Sequence, residues 1–258
     1  MTTAPRTIDL NADLGEATGP EALAHDAALL DIVTSASIAC TGHAGDDESM
    51  RATAVVAIAK GRALGAHPSY PDRAGFGRLP MAIEPPALEA EIHRQIAALG
   101  HIVRSLGAEL THIKPHGALY HAAADSAPIA RAIGAAAQRW NPDLILVGPC
   151  AAPCLELWRS MGLRVHAEAF ADRAYEPDGR LRSRSLPGAL ITDPQRAALQ
   201  AVSIARDQRT IALDGSRVPL NADTLCIHGD TPSALAIARA IAEALCDAGI
   251  TPAAPMHG

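Results

Sequence analysis

The feature that most constrains this chain is a pattern that recurs along its whole length: a short apolar run, an abrupt break, a polar cluster, then a helix. It is clearest at Thr111-His-Ile-Lys-Pro-His-Gly-Ala-Leu-Tyr120. Leu110, His112 and Ile113 read as the end of a short buried strand, which Pro115 and Gly117 then break. At the break stand Lys114, a permanent cation, and His116, a group that titrates near neutrality. Placing such a pair at the C-terminal edge of a buried strand costs free energy unless something uses it.

The other units follow the same plan. Strands are expected at residues 8–10, 35–40, 64–66, 110–113, 144–147, 163–170 and 224–227. Helical spacing appears at Leu23, Ala27 and Leu30, and again in the stripe Leu88, Ile92, Ile96, Leu99, Val103 and Leu106, which Gly107 ends. Asp46 or Asp47 can cap a helix running to about Lys60, Ser126 and Pro128 one reaching Trp140, and Asp193-Pro194 one reaching Arg206. Thr231-Pro232 opens the last helix, to about Cys246. Residues 211–213 and 218–220 read as a small hairpin around Asp214-Gly215. The expectation is an α/β protein: about seven β-α units forming one (β/α) TIM-like barrel over residues 1–250, with a disordered tail at 251–258. A dinucleotide fold would need G-x-G-x-x-G after the first strand, and a P-loop would need G-x-x-x-x-G-K-[ST]; neither is there.

Composition narrows the partners. At 258 residues and 48% hydrophobic content, the chain can bury one large core. A net charge of −6 with 3% aromatics argues against a nucleic-acid partner. Apolar runs such as 54–59 are far too short to span a bilayer, and the first six residues have no signal-like core. Five scattered cysteines fit a reducing compartment, so the protein is expected to be cytoplasmic. Cys150 and Cys154 form a C-x3-C pair with no second pair, which reads as small residues at a helix start rather than a zinc site.

In a (β/α) barrel the reactive groups sit at the C-terminal ends of the strands. Those ends carry Asp9/Asn11/Asp13, His43/Asp46, His67/Asp72, Lys114/His116, Glu168/Asp172/Arg173 and His228/Asp230, while the strand interiors read as nearly all apolar. Each member has a plain alternative. A lone histidine is more often structural, Asp46 and Asp230 precede helices and can cap them, Asp13 and Glu16 can shape a turn, and the run Arg180, Arg182, Arg184 reads as a solvated loop. What those alternatives explain badly is the whole set at one topological level. Two chemistries fit such a mouth. Asp and His could hold a divalent metal that activates water, although no tight ligand spacing identifies one. Otherwise Asp13 or a histidine acts as general base, with Lys114 stabilising an oxyanion or phosphate.

The same strand ends carry a family resemblance. The chain resembles the 5-oxoprolinase A-subunit family, also called the lactam-utilisation or LamB/YcsF family. The resemblance runs through Asp9-Leu-Asn-Ala-Asp-Leu-Gly-Glu16, His43-Ala-Gly-Asp46, Gly65-Ala-His-Pro-Ser-Tyr-Pro-Asp72 and Phe76-Gly-Arg78. It continues through Lys114-Pro-His-Gly-Ala-Leu-Tyr120, Phe170-Ala-Asp-Arg173 with Tyr175, Asp178-Gly179, Arg184-Ser185, Ala222-Asp-Thr224, Cys226 and His228-Gly-Asp230. Two stretches depart from the usual pattern. Thr41-Gly42 stands where the family has Gly-Phe, and Gly148-Pro-Cys-Ala-Ala-Pro-Cys154 where it tends to Gly-Leu-Ala-Gly-Ser.

The resemblance implies a seven-stranded barrel related to the glycoside hydrolase and polysaccharide deacetylase barrels. It also implies ATP-dependent opening of 5-oxo-L-proline to L-glutamate together with separate B and C subunits, with Mg-ATP as co-substrate. On that reading Asp13, His43 or His67 is the base, Lys114 and Arg173 hold a carboxylate or phosphate, and His116 and His228 move protons. Asn11, Glu16, Asp46, Asp72 and Asp230 join Arg173 as candidate substrate contacts. The competing readings are a metal-dependent amide hydrolase or deacetylase, and a non-catalytic binding or regulatory subunit.

Overall fold

The structure is a computed structural model, and it describes residues 6–229 and 233–254. Seven parallel strands close on themselves: β1 (Arg6–Leu14), β2 (Ser35–Ala39), β3 (Ala63–His67), β4 (His112–Ile113), β5 (Ile145–Pro149), β6 (Arg164–Phe170) and β9 (Thr224–Ile227). Neighbours pair in that order, and β9 pairs back onto β1, with Asn11 opposite Ser35 on one side and Cys226 on the other. The barrel expected from the alternation is therefore present and seven-stranded.

Helices wrap the outside: α1 (Pro20–Leu30), α2 (Asp47–Ala59), α3 (Pro85–Ser105), α4 (Gly117–Asp125), α5 (Ala127–Trp140), α6 (Pro153–Ser160), α7 (Pro194–Asp207) and α8 (Ala234–Asp247). The stripe Leu88, Ile92, Ile96, Leu99 and Val103 is buried along α3. Such a stripe is what an amphipathic helix lays against a sheet. Asp46 and Ser49 form a reciprocal capping box on α2, and the Asp193 side chain caps α7. An antiparallel hairpin, β7 (Arg209–Ile211) and β8 (Arg217–Pro219), sits between α7 and β9 as expected.

Four details differ from the sequence reading. β1 does not stop at Leu10 but runs on to Leu14 through Asn11 and Asp13. A helix, α4, starts directly at Gly117, ahead of the one expected from Ser126 and Pro128. Thr251 and Pro252 are not tail: β10 (Ile250–Pro252) lies parallel to the first residues of β1, Arg6 opposite Ile250. The remaining part of the expected tail, residues 255–258, and the expected cap at Thr231-Pro232 lie outside the described residues.

The fourth difference matters most. The strand interiors are not all apolar. In β1, Leu10, Ala12 and Leu14 join the hydrophobic core, while Asp9, Asn11 and Asp13 alternate with them and make polar contacts across the barrel. Asp9 accepts hydrogen bonds from Thr34, Ser35 and Thr224 at 2.6–2.8 Å. His112 on β4 meets Ser37 Oγ at 3.3 Å. Gly65, opposite His112 in the register, has to be glycine, because a Cβ there would collide with His112 Nε2. The small residues of β2 and β3 thus make room for a polar axis that rises from Asp9 toward the mouth.

Candidate active site

Three consecutive inward positions of β1 build the site in tiers. Above Asp9, Asn11 donates to Glu168 Oε1 at 2.9 Å and to Thr224 Oγ1 at 2.7 Å, and accepts from Lys114 Nζ at 2.7 Å. Lys114 enters just after β4 and is almost fully buried. Its ammonium reaches Asp13 Oδ1 at 2.7 Å, Glu168 Oε1 at 3.0 Å and Cys226 Sγ at 3.2 Å. Burial by itself would push the lysine down, but the negative groups around it outweigh that and hold it well above its ordinary value. Burial would likewise push Asp13 up, and His67 and Lys114 instead hold it well below the usual carboxylate range. The pair is therefore charged on both sides. Burial pushes the Cys226 thiol up, so it is no nucleophile at neutral pH.

The top tier brings together Glu16, His43, His67 and His116, whose ligand atoms all lie within 4.8 Å of one another. Glu16 Oε1 is 3.0 Å from His43 Nε2 and 3.3 Å from His116 Nδ1. His67 Nε2 lies 3.0 Å from His116 Nδ1 and 3.4 Å from Asp13 Oδ2. Burial drives both His43 and His116 down to about 3, so both rings are neutral. Gly77, in the left-handed region at φ 63°, lets the loop press against this cluster, since a Cβ would sit 2.9 Å from His43 Cβ. Phe76 contacts the rings of His43 and His116 edge-on. Such a set of imidazoles and a carboxylate could hold a metal ion.

These tiers open into a cavity of about 320 Å³. Of the residues singled out from the sequence, Asp13, Glu16, His67, Lys114, His116, Arg173 and His228 line it. His228 is oriented by Asp172, whose Oδ2 lies 2.8 Å from Nδ1, and its ring stacks on Phe170. Arg173 is held by the carbonyls of Arg182 and Ala189.

Other candidates fall elsewhere. Asn11 is buried beneath the cavity and positions Lys114 and Glu168. His43 stands behind His116 rather than on the lining. Asp46 is exposed and serves as the cap of α2, and Asp72 bonds the Gly75 N–H within its own loop. Both are away from the cavity for the same reason: their carboxylates satisfy local backbone donors first. Asp230 lies outside the described residues.

The sequence reading underrated the arginine loop. Arg182 and Arg184 line the cavity with Arg78, though the Arg182 guanidinium is taken by Glu176 at 2.7 Å and the Pro187 carbonyl, and Arg180 turns outward to Asp125. Glu168, Tyr120 and His121 also line it. The alternation of arginines at 180, 182 and 184 was a usable signal, and Tyr120 closes a motif of the family resemblance; nothing local marked His121.

A closed parallel barrel whose strand ends gather ionised carboxylates, neutral imidazoles and cations around one pocket is a (β/α) barrel built for enzyme chemistry. Its backbone matches a putative cellobiose-phosphate cleavage protein of Enterococcus faecalis (TM-score 0.58, 15% identity, covering 97% of this chain and 98% of that one). It also matches a family 4 carbohydrate esterase of Streptomyces lividans (TM-score 0.51, 12% identity, covering 97% and 93%), a likeness of fold. The chain belongs to the LamB/YcsF family, whose model matches residues 8–257. It is 49% identical to the 5-oxoprolinase A-subunit of Methylococcus capsulatus over 96% of both chains. Identity to that of Chloroflexus aggregans is 50%, over 96% of this chain and 99% of the other. A lactam utilization protein of Thermus thermophilus superposes with TM-score 0.91 at 43% identity, covering 96% of this chain and all of that one.

Proposed function

We propose that this chain is the A-subunit of an ATP-dependent 5-oxoprolinase, opening the lactam ring of 5-oxo-L-proline to L-glutamate with separate B and C subunits. The observation that carries the reading is the near-full-length identity to proteins of that name, combined with a pocket that suits an anionic, hydrolysable ligand.

A five-membered lactam is a resonance-stabilised amide whose ring closes easily, so hydrolysis has little driving force of its own. ATP supplies it if the amide oxygen is phosphorylated. The chain carries no glycine-rich phosphate loop, so this step is assigned to the partners. Water then adds to the activated ring carbon, the ring C–N bond opens as the nitrogen takes a proton, and a second water hydrolyses the resulting acyl phosphate to the carboxylate and phosphate. Per turnover, one 5-oxoproline, one ATP and two waters give glutamate, ADP and phosphate.

The residues suit those tasks. Arg173 and Arg184 line the cavity and hold the substrate's carboxylate and phosphate. Asp13, ionised and lining the cavity, accepts the proton of the attacking water. Lys114 keeps Asp13 ionised and in place. His228, fixed by Asp172, delivers the proton to the departing nitrogen.

The test is glutamate release from 5-oxo-L-proline and Mg-ATP by this chain alone, by B and C alone, and by all three. Release with the three together and not with B and C alone is the expected result. Equal release by B and C without this chain would overturn it.

A further inference from the structure

We infer that the top tier is a divalent metal site in which His67 Nε2, His116 Nδ1 and Glu16 Oε1 are the protein ligands, and in which His43 is not a ligand.

The tautomers carry the argument. His67 Nδ1 lies 2.6 Å from the carbonyl oxygen of Lys114, and His116 Nε2 lies 3.0 Å from that of Phe76. A carbonyl only accepts, so each of these nitrogens bears the ring proton. In the neutral rings the opposite nitrogens, His67 Nε2 and His116 Nδ1, carry lone pairs, and they face each other at 3.0 Å with Glu16 Oε1 beside them. Two lone pairs and a carboxylate oxygen at such distances call for a positive centre among them: a second proton on His67, the charge that holds Asp13 down in the metal-free chain, or a metal ion that displaces that proton. Metal-binding histidines characteristically anchor the far ring nitrogen on a backbone carbonyl or carboxylate, which fixes the tautomer and aims the lone pair. Both rings here are anchored in that way.

The spacing fits. A tetrahedral ion with ligands at 2.0–2.1 Å holds neighbouring donors about 3.3 Å apart. The three separations here are 3.0, 3.3 and 4.0 Å, so a slight swing of the Glu16 carboxylate closes the set. The planes of His67 and His116 cross at 86°, so one ion can lie in both ring planes at once.

His43 fails that test although its Nε2 is close by. Its ring is stacked on His116, with centroids 3.6 Å apart and planes 3° apart. Imidazole lone pairs lie in the ring plane, and no ion lies in two parallel planes separated by a ring thickness. His43 instead bonds Glu16 Oε1 at 3.0 Å and buttresses His116, which makes it a positioning residue. Two imidazoles and one carboxylate with an open position suit Zn²⁺ or Co²⁺ rather than Mg²⁺. The open side faces the cavity, where Asp13 Oδ2 stands 3.4 Å from His67 Nε2. An ion there would lower the pKa of a bound water that Asp13 could then deprotonate. Only this last use rests on the 5-oxoprolinase reading.

The experiment is metal binding by the full chain without substrate or partners, so its outcome is separate from that of the activity assay. Chelator-treated protein is titrated with Co²⁺, read by its visible absorption, and with Zn²⁺ in competition. X-ray absorption on the zinc-loaded protein counts imidazole ligands. One equivalent is expected, with two imidazoles per zinc. His67→Gln, His116→Gln and Glu16→Gln, checked for folding by circular dichroism, should each weaken binding by more than about 100-fold, and His43→Gln by about ten-fold with the stoichiometry intact. Should the ligand variants misfold, the imidazole count on the unmodified protein decides. Failure to bind a stoichiometric ion, or binding that survives all three ligand variants, would overturn the site. Three imidazoles per zinc would overturn the exclusion of His43.

Discussion

Lys114 and Asp13 meet inside the barrel with Nζ 2.7 Å from Oδ1, an ion pair joining the end of β4 to β1 above an otherwise enclosed polar axis. Glu168 shares the same ammonium from β6 at 3.0 Å. One cation thus ties three strands together, and its loss has consequences for folding as well as for the reaction.

Lys114→Met should therefore destabilise the chain at pH 7.5 by about 3–5 kcal/mol, because it strands buried carboxylates without a counter-charge. In the variant those carboxylates have folded-state pKa values above their unfolded ones. The penalty should then shrink as pH falls and they take up protons. Urea unfolding at pH 7.5 and 5 measures this; a variant as stable as the parent at pH 7.5 would refute the structural role of the pair. Turnover of the assembled complex should fall by at least about 100-fold.

Asp9 makes the opposite contribution. Burial raises its carboxyl to about 6, despite the hydroxyls of Thr224, Thr34 and Ser35. A carboxyl whose folded pKa lies above its unfolded value adds stability when protonated and loses it as pH rises through the folded value. Between pH 4 and pH 7 the chain should lose up to about 3 kcal/mol from this group. Asp9→Asn should remove that loss. Denaturant midpoints of the two proteins compared from pH 4.5 to 7.5 provide the check; parallel curves would contradict it.

The Asp172–His228 pair predicts a tautomer effect. Asp172 sits 2.8 Å from His228 Nδ1, and burial of its carboxyl is outweighed by His228, leaving it below its ordinary value. Asp172→Asn should release the ring and lower kcat by about 100-fold with little change in KM. Nitrogen NMR of the imidazole should show the lost preference for a protonated Nδ1. An unchanged tautomer with full turnover would remove His228 from the proton path.

Arg184 lines the cavity with Arg173. Arg184→Ala should raise KM for 5-oxo-L-proline about ten-fold, the worth of one charge-assisted hydrogen bond, while kcat moves less. A fall in kcat at constant KM would place this arginine on the reacting atoms instead of the substrate's anion.

Local chemistry made much of this readable in advance. The stripe of α3, the caps at Asp46 and Asp193, the hairpin at Asp214-Gly215 and the strand ends bearing His67, Lys114, His116 and His228 depend on periodicity, propensity and capping, which act over a few residues. The family resemblance rested on those same short motifs. What a polar side chain does was decided by the tertiary structure. Asp46 and Asp13 look alike as acidic residues at the end of a strand. One spends its carboxylate on the amide of Ser49, and the other finds Lys114 across a closed barrel. Asn11 and Asp9 became interior residues because barrel closure surrounds β1 with Ser35, Thr224 and Glu168, partners remote in sequence. A carboxylate's charge state and role follow from which groups the fold brings within a few ångströms and how much water it excludes, and neither is a local property of the chain.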